Sequence, residues 1–152
     1  MSSDTGAVAL PPPDHIGIVV RDIDKTIEFL SSAWGIGPWQ FAEYAPSGDE
    51  LKMDEPFSIK LAFANLGSIR VELIQPLEGR SLWSEFLEKK GEGVQHIAFY
   101  VSNWDEMMSK LQEQERSVVG GGLIGGKHWH YYQSDPGGFV IQLEEPGGVE
   151  LL

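Results

Sequence analysis

From His15 to Val20 apolar and polar or small positions alternate, with Ile16, Ile18 and Val20 on one side and His15, Gly17 and Val19 on the other. This is the pattern of a strand buried more heavily on one face. Residues Asp22 to Trp34 then change to helical spacing through Ile23, Ile27 and Leu30, and Gly35, Gly37 and Pro38 end the helix. After a polar stretch from Ala42 to Pro56, strand alternation returns in Ser58 to Asn65 and again in Ile69 to Gln75, with Leu66-Gly67-Ser68 as the turn. A further strand fits Trp39 to Tyr44. Ser81 to Lys90 reads as a short amphipathic helix, and then the cycle restarts. A strand from His96 to Val101 leads into a helix from Trp104 to Gln114, where Asn103 and Glu106 stand at capping-box spacing. The glycine-rich stretch 120–126 reads as a flexible loop before strands His128 to Gln133 and Phe139 to Glu145.

The restart is a repeat. HIGIVVRDIDKTIEFL, residues 15–30, lies over HIAFYVSNWDEMMSKL, residues 96–111, and VELIQP, residues 71–76, lies over IQLEEP, residues 141–146. His15 thereby matches His96, and Glu72 matches Gln142. The organisation predicted is an arm at 1–13, a first module at 14–80, a linking helix within 81–93 and a second module at 94–148, together one domain.

Strand parity brings these positions to one surface. With Val71 and Leu73 packed against helices, Arg70, Glu72 and Ile74 face the other way, as do Val140, Gln142 and Glu144 opposite Ile141 and Leu143. Extending that pairing back one hairpin adds Lys60, His130 and Tyr132 to the same face. Twin modules paired about a pseudo-twofold axis would bring His15, Glu72, His96 and Gln142 together, offering two imidazole nitrogens, a carboxylate and an amide oxygen to one divalent ion. Such a set suits Co, Ni, Zn, Mn or Fe(II). Taken singly, a histidine at a strand start is ordinarily a packing residue and a strand glutamate a solvated one; the paired recurrence argues for a site.

Composition narrows the chemistry. The chain has no cysteine, which excludes disulfides, thiolate metal sites and a cysteine nucleophile. With 11 Lys plus Arg against 23 Asp plus Glu, the formal net charge of -12 opposes a nucleic-acid partner. No apolar run is long enough to span a membrane, and a cytoplasmic protein is expected. The spacing Gly120-x-Gly122-x-x-Gly125 lacks the strand-to-helix setting of a dinucleotide site. His130 and the aromatic residues around it suit contact with a small-molecule substrate, and the acidic stretch Asp49, Glu50, Asp54 and Glu55 would supply a base if it lies by the mouth of the cup.

From Pro13 to Pro146 the chain resembles the vicinal oxygen chelate superfamily. DHIGIVVRDIDKTIEFL, NLGSIRVELIQP, FLEKKGEGVQHIAFYV and GGFVIQLEEP are most similar to its methylmalonyl-CoA epimerase branch. The resemblance implies an α+β, glyoxalase-like fold of two paired βαβββ modules forming a curved mixed sheet cup, and a homodimer. It places His15, Glu72, His96 and Gln142 at the family's metal positions, the last of which is normally glutamate. It also implies abstraction of a proton α to a carbonyl through a metal-stabilised enolate, on an acyl-CoA or another carbonyl compound. Glu55 is then the expected base, and Glu144 or His130 the expected acid. Three other activities fit the same residues: a glyoxalase-like lyase, an Fe(II) extradiol-type dioxygenase built on His15, His96 and Glu72, and a metal-free binding protein.

Overall fold

A computed structural model of the chain describes residues 7–46 and 55–149. Asp49, Glu50, Lys52 and Asp54, and the first six residues of the expected arm, lie outside them.

The first half runs β1 (His15–Val19), α1 (Ile23–Trp34), β2 (Gln40–Tyr44), β3 (Ile59–Leu66) and β4 (Ile69–Pro76). α2 (Leu82–Lys90) links it to β5 (Gly93–Tyr100), α3 (Trp104–Glu113), β6 (Val118–Ile124), β7 (Lys127–Ser134) and β8 (Phe139–Glu144). Each half is a βαβββ unit, and the two form one curled mixed sheet in the order β2-β3-β4-β1-β5-β8-β7-β6. Within a half the first and last strands pair in parallel, β1 with β4 and β5 with β8, while β1 and β5 join the halves antiparallel. In that central pair His15 is opposite Ala98, Ile16 opposite Ile97 and Gly17 opposite His96, so a pseudo-twofold axis passes by Ile16 and Ile97.

Local chemistry sets the helix ends. Asp22 caps α1 by accepting from the Lys25 backbone N–H at 3.0 Å, and Gly35 closes it in the left-handed region at φ 67°. On α2 the Ser81 side chain accepts from the Ser84 N–H while Ser84 Oγ accepts from the Ser81 N–H, a complete capping box. The box expected at Asn103 does not form: Asn103 makes no side-chain cap bond.

The sheet has two differently covered faces. α1 packs on one face through Ile23 with Val20, Ala62 and Leu73, and α3 through Trp104, Met107 and Leu111 with Tyr132 and Leu143. α2 lies on the opposite, concave face, where Trp83 joins Tyr44, Phe57, Trp129 and Tyr131 in an aromatic cluster.

Two expectations are corrected. The glycine-rich stretch is a strand up to Ile124, the edge strand β6, followed by a tight turn at Gly125 and Gly126 with φ 56° and 77°. Its glycines answer to packing: a Cβ on Gly121 would stand 2.8 Å from the Trp129 carbonyl oxygen, and one on Gly120 would meet Leu82 of α2. The second correction concerns parity. Lys60, His130 and Tyr132 lie on the helix-bearing face, where Lys60 reaches Asp24 of α1 and His130 meets Trp104 of α3. Leu66 pairs with Ile69 across two turn residues, and Ser134 with Phe139 across four. An even-numbered loop makes odd positions of one strand share a face with even positions of the next. Phe63 therefore stands beside Glu72, and Tyr131 beside Gln142.

Candidate metal centre

Four strands deliver the site. β1 carries His15, β4 Glu72, β5 His96 and β8 Gln142 and Glu144, and all five side chains are buried, with His15 1% and His96 0% exposed. His15 Nε2 and His96 Nε2 are 3.4 Å apart, and Glu72 Oε1 lies 3.6 Å from the first and 3.3 Å from the second. One donor atom from each of these three residues falls within 4.8 Å of the others. Gln142 is at the position in the second half that Glu72 holds in the first: Glu72 is register partner to Gly17, and Gln142 to Ala98.

Both imidazoles are held from behind, which directs their Nε2 lone pairs inward. His15 Nδ1 donates to Asp14 Oδ2 at 2.8 Å, and that carboxylate accepts from Arg70 at 2.7 and 3.1 Å. Arg70 also donates to the Tyr100 hydroxyl at 2.8 Å. His96 Nδ1 donates to Gln95 Oε1 at 2.7 Å, with the Tyr131 hydroxyl 3.2 Å away. Hydrogen bonds of this kind fix tautomer and ring orientation in metal-binding histidines.

Gly17 adds a requirement that strand alternation alone does not disclose. A Cβ at this position would stand 2.0 Å from His96 Cε1, so the imidazole occupies the space a side chain would need. The signal in the sequence was a glycine in mid-strand, which marks close approach by another group.

The surroundings of the four ionisable groups push them apart. Burial disfavours charge on His15, but the Glu72 and Asp14 carboxylates outweigh it and its pKa lies above the ordinary value. Burial lowers that of His96, with Glu72 opposing. Burial alone would raise Glu72, yet the two histidines hold it below the usual carboxylate range. At Glu144 burial prevails and, with the Glu72 and Asp14 carboxylates, pushes its carboxyl up to about 8, although His15 and Arg70 oppose the shift. Gln142 Nε2 donates to Glu144 Oε2 at 2.8 Å.

The donor set fits a divalent ion. Two neutral-capable imidazoles and a carboxylate converge on a point, and each ring is oriented by an outer hydrogen bond. The other expected site residues are elsewhere. His130 lies on the helix-bearing face, with Nδ1 3.2 Å from the Tyr132 hydroxyl. Glu55 is exposed and is not among the residues lining the cavity beside the triad, whereas Glu144 is. Gln95 and Tyr131 are not anticipated from the sequence as supports for His96, although Gln95 precedes His96 as Asp14 precedes His15, so for Gln95 the repeat itself carries the signal.

Comparison with known proteins follows the same lines. The chain is 31% identical over 139 residues to the uncharacterized protein YqjC of Bacillus subtilis, covering 89% of this chain and 92% of that one. It is 26% identical over 137 residues to the mitochondrial methylmalonyl-CoA epimerase of Bos taurus, covering 87% and 73%. The crystal structure of methylmalonyl-CoA epimerase from Mycobacterium tuberculosis superposes with a TM-score of 0.68 at 27% identity, over 93% of this chain and 92% of that one. Residues 14–132 match the family profile, and the chain belongs to the Glyoxalase/Bleomycin resistance protein/Dioxygenase superfamily.

Proposed function

We propose that the protein is a metal-dependent isomerase of the epimerase type, removing and returning a proton on the carbon next to a carbonyl, with an acyl thioester as substrate. The observation that carries this reading is geometric: His15, Glu72 and His96 converge on one point, and the buried carboxyl of Glu144 lines the same cavity as Glu72. The resemblance to methylmalonyl-CoA epimerases supports the substrate class.

His15, Glu72 and His96 would hold the ion, with Gln142 as a fourth donor. The ion would supply Lewis acidity toward a carbonyl oxygen and so make the neighbouring proton removable. Asp14 and Gln95 keep the two rings in register for that task. Glu144 is the group that holds and moves the proton in this reading, since it is a buried carboxyl that lines the cavity beside Glu72. Its Oε2 is engaged by the Gln142 amide, which fixes the plane of the carboxyl and leaves Oε1 for the reacting carbon. Glu55 and His130 have no place at the cavity in this assignment.

The test is deuterium exchange from D2O into the α-position of methylmalonyl-CoA by protein supplied with Co2+. Exchange in the wild type that falls by 100-fold or more in Glu144→Gln, with Glu55→Gln unaffected, is expected. No exchange by the wild type overturns the reading. A second reading rests on the ligand count, because two histidines and one carboxylate are also the set of Fe(II) oxygenases. Iron-dependent oxygen uptake with a catechol would establish that alternative. A homodimer is proposed as well, for Phe29 and Trp34 on α1 are 58% and 70% exposed and would be covered by pairing.

A further inference from the structure

The pseudo-twofold symmetry of the site fails at one level. Two residues beyond Glu72 on β4 stands Ile74, while two residues beyond Gln142 on β8 stands Glu144, and both line the cavity beside the triad. That cavity holds about 40 Å³, room for roughly three water-sized groups at ~10–15 Å³ each. On its first-half side Ile59, Ile74 and Leu61, the register partner of Ile74, form a hydrocarbon strip beside Glu72 and Tyr44. Its second-half wall is formed by Glu144 and Trp129, which are register partners too, and Trp83 of α2 also lines it.

The aromatic side is polar only in name. Trp129 Nε1 donates to the Tyr44 hydroxyl at 2.8 Å, and Tyr44 in turn donates to the Leu123 carbonyl at 2.8 Å. Trp83 Nε1 donates to the Tyr131 hydroxyl at 3.1 Å. No lysine or arginine is among the described lining residues, and Arg70 nearby is engaged by Asp14 and Tyr100. A carboxylate pushed into this space would be buried with no cationic side chain among the described lining residues, beside the carboxyl groups of Glu72 and Glu144. Such burial is strongly unfavourable.

We propose that this cavity receives one substituent of the substrate's reacting carbon, and that the substituent is an uncharged alkyl group of ethyl to short branched size. Leu61 and Ile74 determine that specificity. The inference rests on the proposed carbonyl chemistry: the alkyl group lies toward β3 and β4, and the proton is handled from β8.

The experiment compares binding of malonyl-, methylmalonyl-, ethylmalonyl- and (carboxymethyl)malonyl-CoA to the Co2+-supplied protein by titration calorimetry. All four keep the same polar end, so only the group offered to the cavity changes. Affinity should rise about 4-fold per added carbon, and the carboxymethyl compound should bind at least 10-fold more weakly than the ethyl one. In Leu61→Phe, which fills the space, the rise should vanish. In Leu61→Ala, which enlarges it, the optimum should move to a longer alkyl chain, so either variant that folds decides the matter. A flat series, or carboxymethyl binding equal to ethyl, overturns the proposal. Deuterium exchange keeps the two readings separate: exchange with a flat series removes only the alkyl pocket, and a rising series without exchange removes only the isomerase.

Discussion

Gly17 and Glu144 act on the site in opposite ways, one by leaving space and the other by filling it with a protonated group. Gly17→Ala forces the His96 ring off its seat, since the new methyl would fall 2.0 Å from Cε1. Divalent-ion affinity measured by titration calorimetry should drop by roughly 10–100-fold, as for lost outer support of a metal-binding histidine, while the β1 register is kept. Glu144 makes the ion-free protein sensitive to pH. Its carboxyl titrates near its ordinary value of 4.5 when unfolded and at about 8 when folded and buried. Between those limits the folded state binds more protons, so stability is greatest below the lower value and declines as pH rises through the upper one. Urea midpoints of the chelator-treated protein should fall from pH 5 to pH 8, and Glu144→Gln should flatten that fall.

At the scale of elements, α2 joins the linker to the site. Its N-terminus is fixed by the Ser81–Ser84 capping box, and its Trp83 donates to Tyr131, whose hydroxyl lies beside His96. Ser81→Ala should cost about 1 kcal/mol in a urea melt. It should also weaken ion binding modestly, because the aromatic support of His96 loosens with the helix. The element order was legible because each period is physical: alternation marks strands with one face on the helices, and the restart at His96 marks the second half. Side-chain faces were legible on β1, β4 and β8, where the apolar set is unambiguous. On β3 the large set Ile59, Leu61 and Phe63 faces the concave cluster while small Ala62 lies under α1, and on β7 both faces carry aromatic rings, so alternation does not tell which face is the cup and the loop length decides. Gly120 and Gly121 conceal β6 for a related reason, since their role is to let α2 and β7 approach rather than to bend the chain.

The whole molecule explains why a candidate metal centre arises from this repeat and not from any single strand. Parallel pairing inside each half sets a first-strand histidine beside a last-strand acceptor, and the antiparallel β1–β5 seam turns the second pair to meet the first. Neither half alone encloses an ion, so occupancy reports on both at once. An ion that binds only the assembled fold stabilises it by about 2.7 kcal/mol at 100 times Kd. For a chain of this length such a gain corresponds to a rise in Tm of roughly 5–11 °C. Calorimetry with and without Co2+ should therefore show a clear upward shift in the wild type that a chelator reverses. His15→Ala and His96→Ala should each abolish it, although the two residues belong to different halves. Loss of the shift in only one of them would mean that the ion sits on a single half, and that the pseudo-twofold axis is a feature of the fold without being the origin of the site.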